Sequence, residues 1–246
     1  MFAPKNRFRL SRPSPSSRAL LAAALVALTG GLALMAARSS AAEQARQIPA
    51  PSVDEQPATA QSETAVFAGG CFWGVQGVFQ HVKGVVSAVS GYAGGAASTA
   101  QYDTVSTGET GHAESVRVTF DPHKVSYGKL LQIYFSVVHD PTELNRQGPD
   151  EGAQYRSEVF AETPDQARVA KAYIAELEKA HSFDAPIVTK VEPFKGFYPA
   201  EAYHQDYLTL HPNQPYIAIN DLPKVAALKR LFPEQYRPDP VLVGAR

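Results

Sequence analysis

The sequence predicts an α+β fold, a ferredoxin-like split β-α-β arrangement closing into a two-layer sandwich. Three observations carry this. Stretches of helical and of strand periodicity follow one another in the order β-α-β-β-α-β, with further helix and strand after them. Residues 64–236 form a stretch of about 170 residues, enough for one sizeable core. The residues before it differ in composition, so the fold excludes them.

Residues 64–68 (TAVFA) are a short apolar strand, closed by the turn Gly69-Gly70. In 72–82, Val75, Val78, Phe79 and Val82 recur at helical spacing. A second strand spans 85–90. Residues 115–120 alternate, with Val116, Val118 and Phe120 on one face. A helix spans 126–138, with Leu130, Leu131, Tyr134 and Val138 along one side. A strand at 155–161 precedes Thr163, which caps a helix whose first residue is Pro164; its buried face carries Ala167, Ala170, Ile174 and Leu177. A strand at 187–191 and helices at 200–210 and 224–232 complete the domain. The loop 91–111 is long and carries five glycines, a length typical of functional loops.

Outside the domain the chain changes character. Residues 1–42 hold six Lys/Arg and no acid, which leaves 17 basic and 24 acidic residues in the remainder. Lys5, Arg7, Arg9, Arg12 and Arg18 precede an uncharged Ala/Leu-rich run at 19–37, and Ser40-Ala41-Ala42 offers small residues for cleavage. This order is that of a secretory signal peptide. At about 1.5 Å per residue the run spans roughly 28 Å. An uncleaved anchor through 19–37 and an organelle-targeting segment are the alternatives. The expected location is therefore the periplasm or the exterior, or a periplasm-facing membrane surface. Residues 43–63, polar and rich in Pro, Ala and Gln, are expected to form a flexible linker, and 237–246 a C-terminal tail. The net charge of −1 gives no footing for nucleic acid.

The chain has one cysteine, Cys71, and one tryptophan, Trp73. That excludes an internal disulfide, a CxxC redox pair and a thiolate zinc cluster. His112, His139 and His204 follow no metal-ligand spacing, so no metal is expected. Cys71 falls between a strand-turn and the first turn of a helix. Free N–H groups and the helix dipole there favour a thiolate, so a lowered pKa is expected. Phe72 and Trp73, flanked by Gly69, Gly70 and Gly74, make a poor core and a good pocket rim. A cysteine hydrolase pairing Cys71 with His204, and a non-catalytic module for oxidised peptides, are competing readings.

The segment GGCFWG at 69–74 resembles the signature of the A-type peptide methionine sulfoxide reductases. Further blocks match in order: GYAGG at 91–95, Tyr102, TGHAE at 110–114, HDP at 139–141, QGPDEGAQYRS at 147–157 and FYPAEAYHQDYL at 197–208. The resemblance implies that Cys71 attacks the sulfoxide sulfur and that Glu114 protonates its oxygen. A carboxyl that stays protonated near pH 7 needs an apolar burial site, so a raised pKa is expected for Glu114. The resemblance further implies Tyr102 and Tyr155 as hydroxyl donors, Asp150 as a residue ordering the site through water, and Phe72 and Trp73 as the cradle of the S-methyl group. Expected partners are proteins carrying methionine sulfoxide, and the enzyme is expected to be monomeric and without a bound cofactor. Many family members resolve the sulfenic acid with C-terminal cysteines. Residues 211–236 of this chain have none, so an external thiol is required: thioredoxin-like, glutaredoxin-like or a small molecule.

Overall fold

A six-stranded sheet organises the chain, in the order Lys190–Pro193, Glu158–Ala161, Glu63–Ala68, Ala113–Phe120, Val85–Ala93, Phe197–Pro199. The computed structural model describes residues 45–56 and 60–244. Its elements are β1 (Glu63–Ala68), α1 (Phe72–Gln80), β2 (Val85–Ala93), α2 (Tyr102–Val105), β3 (Ala113–Phe120) and α3 (Tyr127–Ile133). They are followed by β4 (Arg146–Gln147), β5 (Asp150–Glu151), β6 (Glu158–Ala161), α4 (Pro164–Lys179), β7 (Lys190–Pro193), β8 (Phe197–Pro199), α5 (Tyr207–Leu210) and α6 (Leu222–Leu231).

The central four strands, β6-β1-β3-β2, are antiparallel throughout and are the strands of the expected split β-α-β unit. β7 adds parallel to β6 and β8 adds antiparallel to β2. Strand alternation sorts the side chains as the period of two requires. Ala65 and Phe67 join Phe79, Leu130, Leu131 and Tyr134 in the main core, while Val66 and Ala68 face the other way onto Phe160. Phe67 stacks between Phe79 at 5.2 Å and Tyr134 at 5.1 Å, centroid to centroid.

The expected cap at Thr163 forms, and Ser126 caps α3 in the same way. Ser126 Oγ accepts the Lys129 N–H at 3.2 Å, and Thr163 Oγ accepts the Gln166 N–H at 3.0 Å with Pro164 in the first turn. The helix beginning at α3 continues through a π-helical turn, Tyr134–Val138. The expected helix at 200–210 is instead a 3-10 turn, Ala202–His204, and the short α5. Asp206 breaks it with φ 57, because its buried carboxylate accepts Gln80 Nε2 at 2.6 Å and the N–H groups of Val243 and Gly244 at 3.0 and 3.1 Å.

Two segments expected outside the fold lie on it. In the expected linker, Ile48 is buried, Tyr173 donates to the Pro49 carbonyl at 2.6 Å, and Asp54 takes the Gly128 N–H at 2.8 Å. A segment of low overall hydrophobicity docks through one buried apolar side chain and specific polar contacts, which composition does not reveal. In the expected tail, the Arg237 and Val241 N–H groups bond to the carbonyls of His81 and Gln80. The expected leader at 1–42 lies outside the described residues. Among the described residues no helix is long and apolar enough to cross a membrane.

Candidate active site

The nucleophile candidate sits where β1 hands over to α1. Gly70, at φ 87, makes the left-handed turn that a side chain would resist. Cys71 then occupies the N-cap position of α1, almost fully buried, and its side chain makes no capping bond.

β3 runs beside β2 and sets Glu114 opposite Tyr92. Glu114 is 3% exposed, and its Oε2 accepts the backbone N–H of Phe72 at 3.0 Å. The carboxyl is thus tied to the residue next to Cys71. Burial pushes its pKa up to about 8, against the opposing Phe72 N–H and with help from the charges of Asp150 and Asp221. The expected raised pKa is present, and its cause is mainly desolvation.

The thiol departs from expectation. Burial pushes the Cys71 pKa well up, and the carboxylates of Glu114, Asp221 and Asp150 push the same way; only the Trp73 N–H draws it down. The helix start is there, but desolvation and three acids outweigh it. The candidate nucleophile therefore rests as a thiol.

Tyr102 and Tyr155 are half-buried, one at the start of α2 and the other in a 3-10 turn, Ala153–Tyr155, ahead of β6 rather than within a strand. Burial raises both phenols, and each feels the charges of Glu114 and Cys71. They keep their hydroxyl protons at any ordinary pH and remain donors. Asp150 on β5 accepts the hydroxyl of Tyr216. Burial raises the Asp150 pKa, while Tyr216 and Lys224 restrain the rise.

Phe72 lies fully inside, with its ring 5.1 Å from the His204 ring. Trp73 is the more open aromatic. It stacks on Tyr207 at 3.9 Å and 10°, meets Tyr216 edge-on at 6.0 Å, and donates its indole N–H to His204 Nδ1 at 3.2 Å. His204 therefore serves the aromatic wall through Nδ1. Glu201 supports the same corner, taking the Tyr92 hydroxyl at 2.9 Å and the Tyr102 N–H at 3.0 Å. Among the described residues no group of three or more His, Cys, Asp or Glu side chains is arranged to hold a metal.

The structure therefore brings Cys71, Glu114, Tyr102, Tyr155, Asp150, Phe72 and Trp73 to one place. Sequence reasoning missed Tyr216 and Asp221. Both lie in the cysteine-free C-terminal segment, some 150 residues from Cys71, and no motif there marks them as site residues.

Comparison with known proteins gives a consistent result. A family model described as "Peptide methionine sulfoxide reductase" matches residues 63–236. A peptide methionine sulfoxide reductase MsrA 2 from Mesorhizobium japonicum is 65% identical over 189 residues, 77% of this chain and 97% of its own length. A second MsrA 2, from Synechocystis sp., is 49% identical over 209 residues, 84% of this chain and 96% of its own length. The solved reduced form of Mxr1 from Saccharomyces cerevisiae is similar at TM-score 0.57 and 33% identity, over 65% of this chain and 91% of that one. Methionine sulfoxide reductase A of Corynebacterium diphtheriae follows at TM-score 0.54 and 31% identity, over 70% of this chain and 90% of that one.

Proposed function

We propose, for a chain that belongs to the peptide methionine sulfoxide reductase family, that Cys71 is the nucleophile and Glu114 the proton donor. The protein is an oxidoreductase that reduces methionine sulfoxide to methionine. The observation that carries the assignment of roles is the hydrogen bond from the Phe72 N–H to a Glu114 carboxyl whose pKa is about 8. A neutral acid is thereby fixed one residue from the thiol.

In the proposed step the Cys71 sulfur attacks the electrophilic sulfoxide sulfur. Glu114 passes its proton to the sulfoxide oxygen, and the hydroxyls of Tyr102 and Tyr155 donate to the same oxygen as charge builds there. The substrate S–O bond then breaks as that protonated oxygen bonds to the Cys71 sulfur, and the bond between Cys71 and the substrate sulfur breaks with it: methionine leaves with the electron pair, and Cys71 carries a sulfenic acid. The thiol proton restores Glu114. Trp73, braced by Tyr207, Tyr216 and His204, offers the apolar face for the S-methyl group, with Phe72 behind it. Asp150 and Tyr216 form a pair that orders the rim.

With one cysteine in the chain, the sulfenic acid is resolved by an external thiol. That thiol forms a mixed disulfide with Cys71 and releases water; a second thiol then frees Cys71. Thioredoxin-like and glutaredoxin-like proteins and small thiols all have the required chemistry. The S epimer of the sulfoxide, free or in proteins, is the proposed substrate. The basic leader at 1–42 supports export to the periplasm or beyond, with a retained anchor through 19–37 as the alternative; the mass of the mature N-terminus distinguishes them.

Single turnover without reductant tests the mechanism. One equivalent of methionine should appear together with a trappable sulfenic acid on Cys71. Methionine formation by Cys71→Ser, or consumption of the R epimer alone, would overturn it.

A further inference from the structure

We propose that Asp221, held by Lys224, is a positioning residue for the nucleophile: a buried carboxylate set against the first turn of α1 that governs the reactivity of Cys71. The proposal rests on the reading of Cys71 as nucleophile and concerns the segment in which this chain has no cysteine.

Asp221 ends a π-helical turn, Ile217–Asp221, and stands at the N-cap position of α6. It does not cap that helix with its side chain. The carboxylate turns instead to the first turn of α1, three residues from Cys71. A Cβ placed on Gly74 would lie 2.2 Å from Asp221 Oδ1, so only glycine leaves room for it. Asp221 is 0% exposed, and Lys224 Nζ lies 3.5 Å from its Oδ1 with the lysine itself 9% exposed.

A buried ion pair is a poor device for stability, because desolvation consumes much of the Coulomb gain. Apolar side chains of similar size would pack α6 against α1 as well. What the pair supplies is a fixed charge beside reacting groups. The groups facing Cys71 are Glu114 from β3, Asp150 from β5, Tyr102 from α2, Tyr155 from the turn before β6, and Tyr216 and Asp221 from the C-terminal segment, with Lys224 against Asp221. Asp150 is tied to Tyr216, and Glu114 is neutral near pH 7. Asp221 acts on both Cys71 and Glu114, raising each, while Lys224 lowers Asp150 and screens Asp221.

The consequence fits a single-cysteine cycle. Thiol and acid are both loaded when the sulfoxide arrives. After transfer, the same carboxylate disfavours ionisation of the sulfenic acid and preserves the neutral form that an external thiol attacks.

The test is the pH dependence of Cys71 alkylation by iodoacetamide, in which the lone cysteine is the only thiol labelled. It is independent of sulfoxide turnover, so its failure is distinguishable from failure of the proposed reaction. Asp221→Asn should lower the alkylation midpoint by about one unit, and the high-pH limb of sulfoxide reduction should move down with it. Lys224→Gln should raise the midpoint. Opposite signs support a charge role; unmoved midpoints, or shifts of one sign in both variants, overturn it. Should Asp221→Asn not fold, Lys224→Gln alone decides: an upward shift supports the proposal and no shift overturns it.

Discussion

The indole N–H of Trp73 donates to Nδ1 of His204 at 3.2 Å, and this bond fixes the imidazole as the Nε2–H tautomer. The acceptor role requires a neutral ring. Burial lowers the His204 pKa from its ordinary 6.5, with Glu201 opposing, so the bond survives into mildly acid solution. Trp73 is the only tryptophan, so indole emission reports this corner of the site and no other part of the chain. An emission transition is expected below pH 6.5, and His204→Phe should abolish it. The same variant should raise KM more than it lowers kcat, since it loosens a wall rather than removing a reacting group. An unchanged emission profile in His204→Phe would refute the link.

Under the proposed mechanism Glu114 sets the alkaline limit of activity. The acid works only when protonated, and its pKa is about 8, so kcat should fall as pH rises through that value. Glu114→Gln should cost about 10²–10⁴ in kcat and remove the limb. Stability follows the same proton. The folded-state pKa is raised, so its contribution is full below about pH 4.5 and lost as pH rises through about 8. Denaturant midpoints measured across that window should decline in the native chain more than in Glu114→Gln.

His139 acts in the opposite direction. It lies buried, with Nε2 2.6 Å from the Ser157 hydroxyl, and burial pushes its pKa down to about 3. A depressed histidine contributes stability above its unfolded pKa near 6.5, and that stability is lost as pH falls through about 3. The loss is on the order of 5 kcal/mol. His139→Gln should start less stable at pH 7 and show a shallower acid decline; equal acid slopes would count against the assignment.

The segment at 45–56 is a structural part of the domain. Asp54 accepts the Ser126 hydroxyl at 2.5 Å and the Gly128 N–H at 2.8 Å, both at the start of α3. Asp54→Ala should cost about 1–3 kcal/mol by leaving these donors without their acceptor. Deleting residues before 60 should cost more, since Ile48 is withdrawn from the core as well. Thermal melting of the two variants checks the order.

Much of this protein was legible in its sequence because the signals are local. The strand β3 and helix α1 announce themselves through periods of two and 3.6, β1 through its short apolar run, and Thr163 through capping chemistry that needs only three residues. Cys71 is marked by its glycines and aromatics within six positions, and the ordered motif blocks name Glu114, Tyr102, Tyr155 and Asp150. What remained hidden depends on which distant residues share a low-dielectric space. Whether the thiol is raised or lowered turns on burial and on Asp221, 150 residues away, and the helix start alone gives the wrong sign. The docking of 45–56, the break at Asp206 and the partnership of Tyr216 with Asp150 likewise come from contacts between segments, which composition and spacing do not encode. The sequence by itself marked the candidate reacting groups and, with a single cysteine, the need for an outside reductant; only the tertiary structure decided their protonation, because that is a property of the space around them.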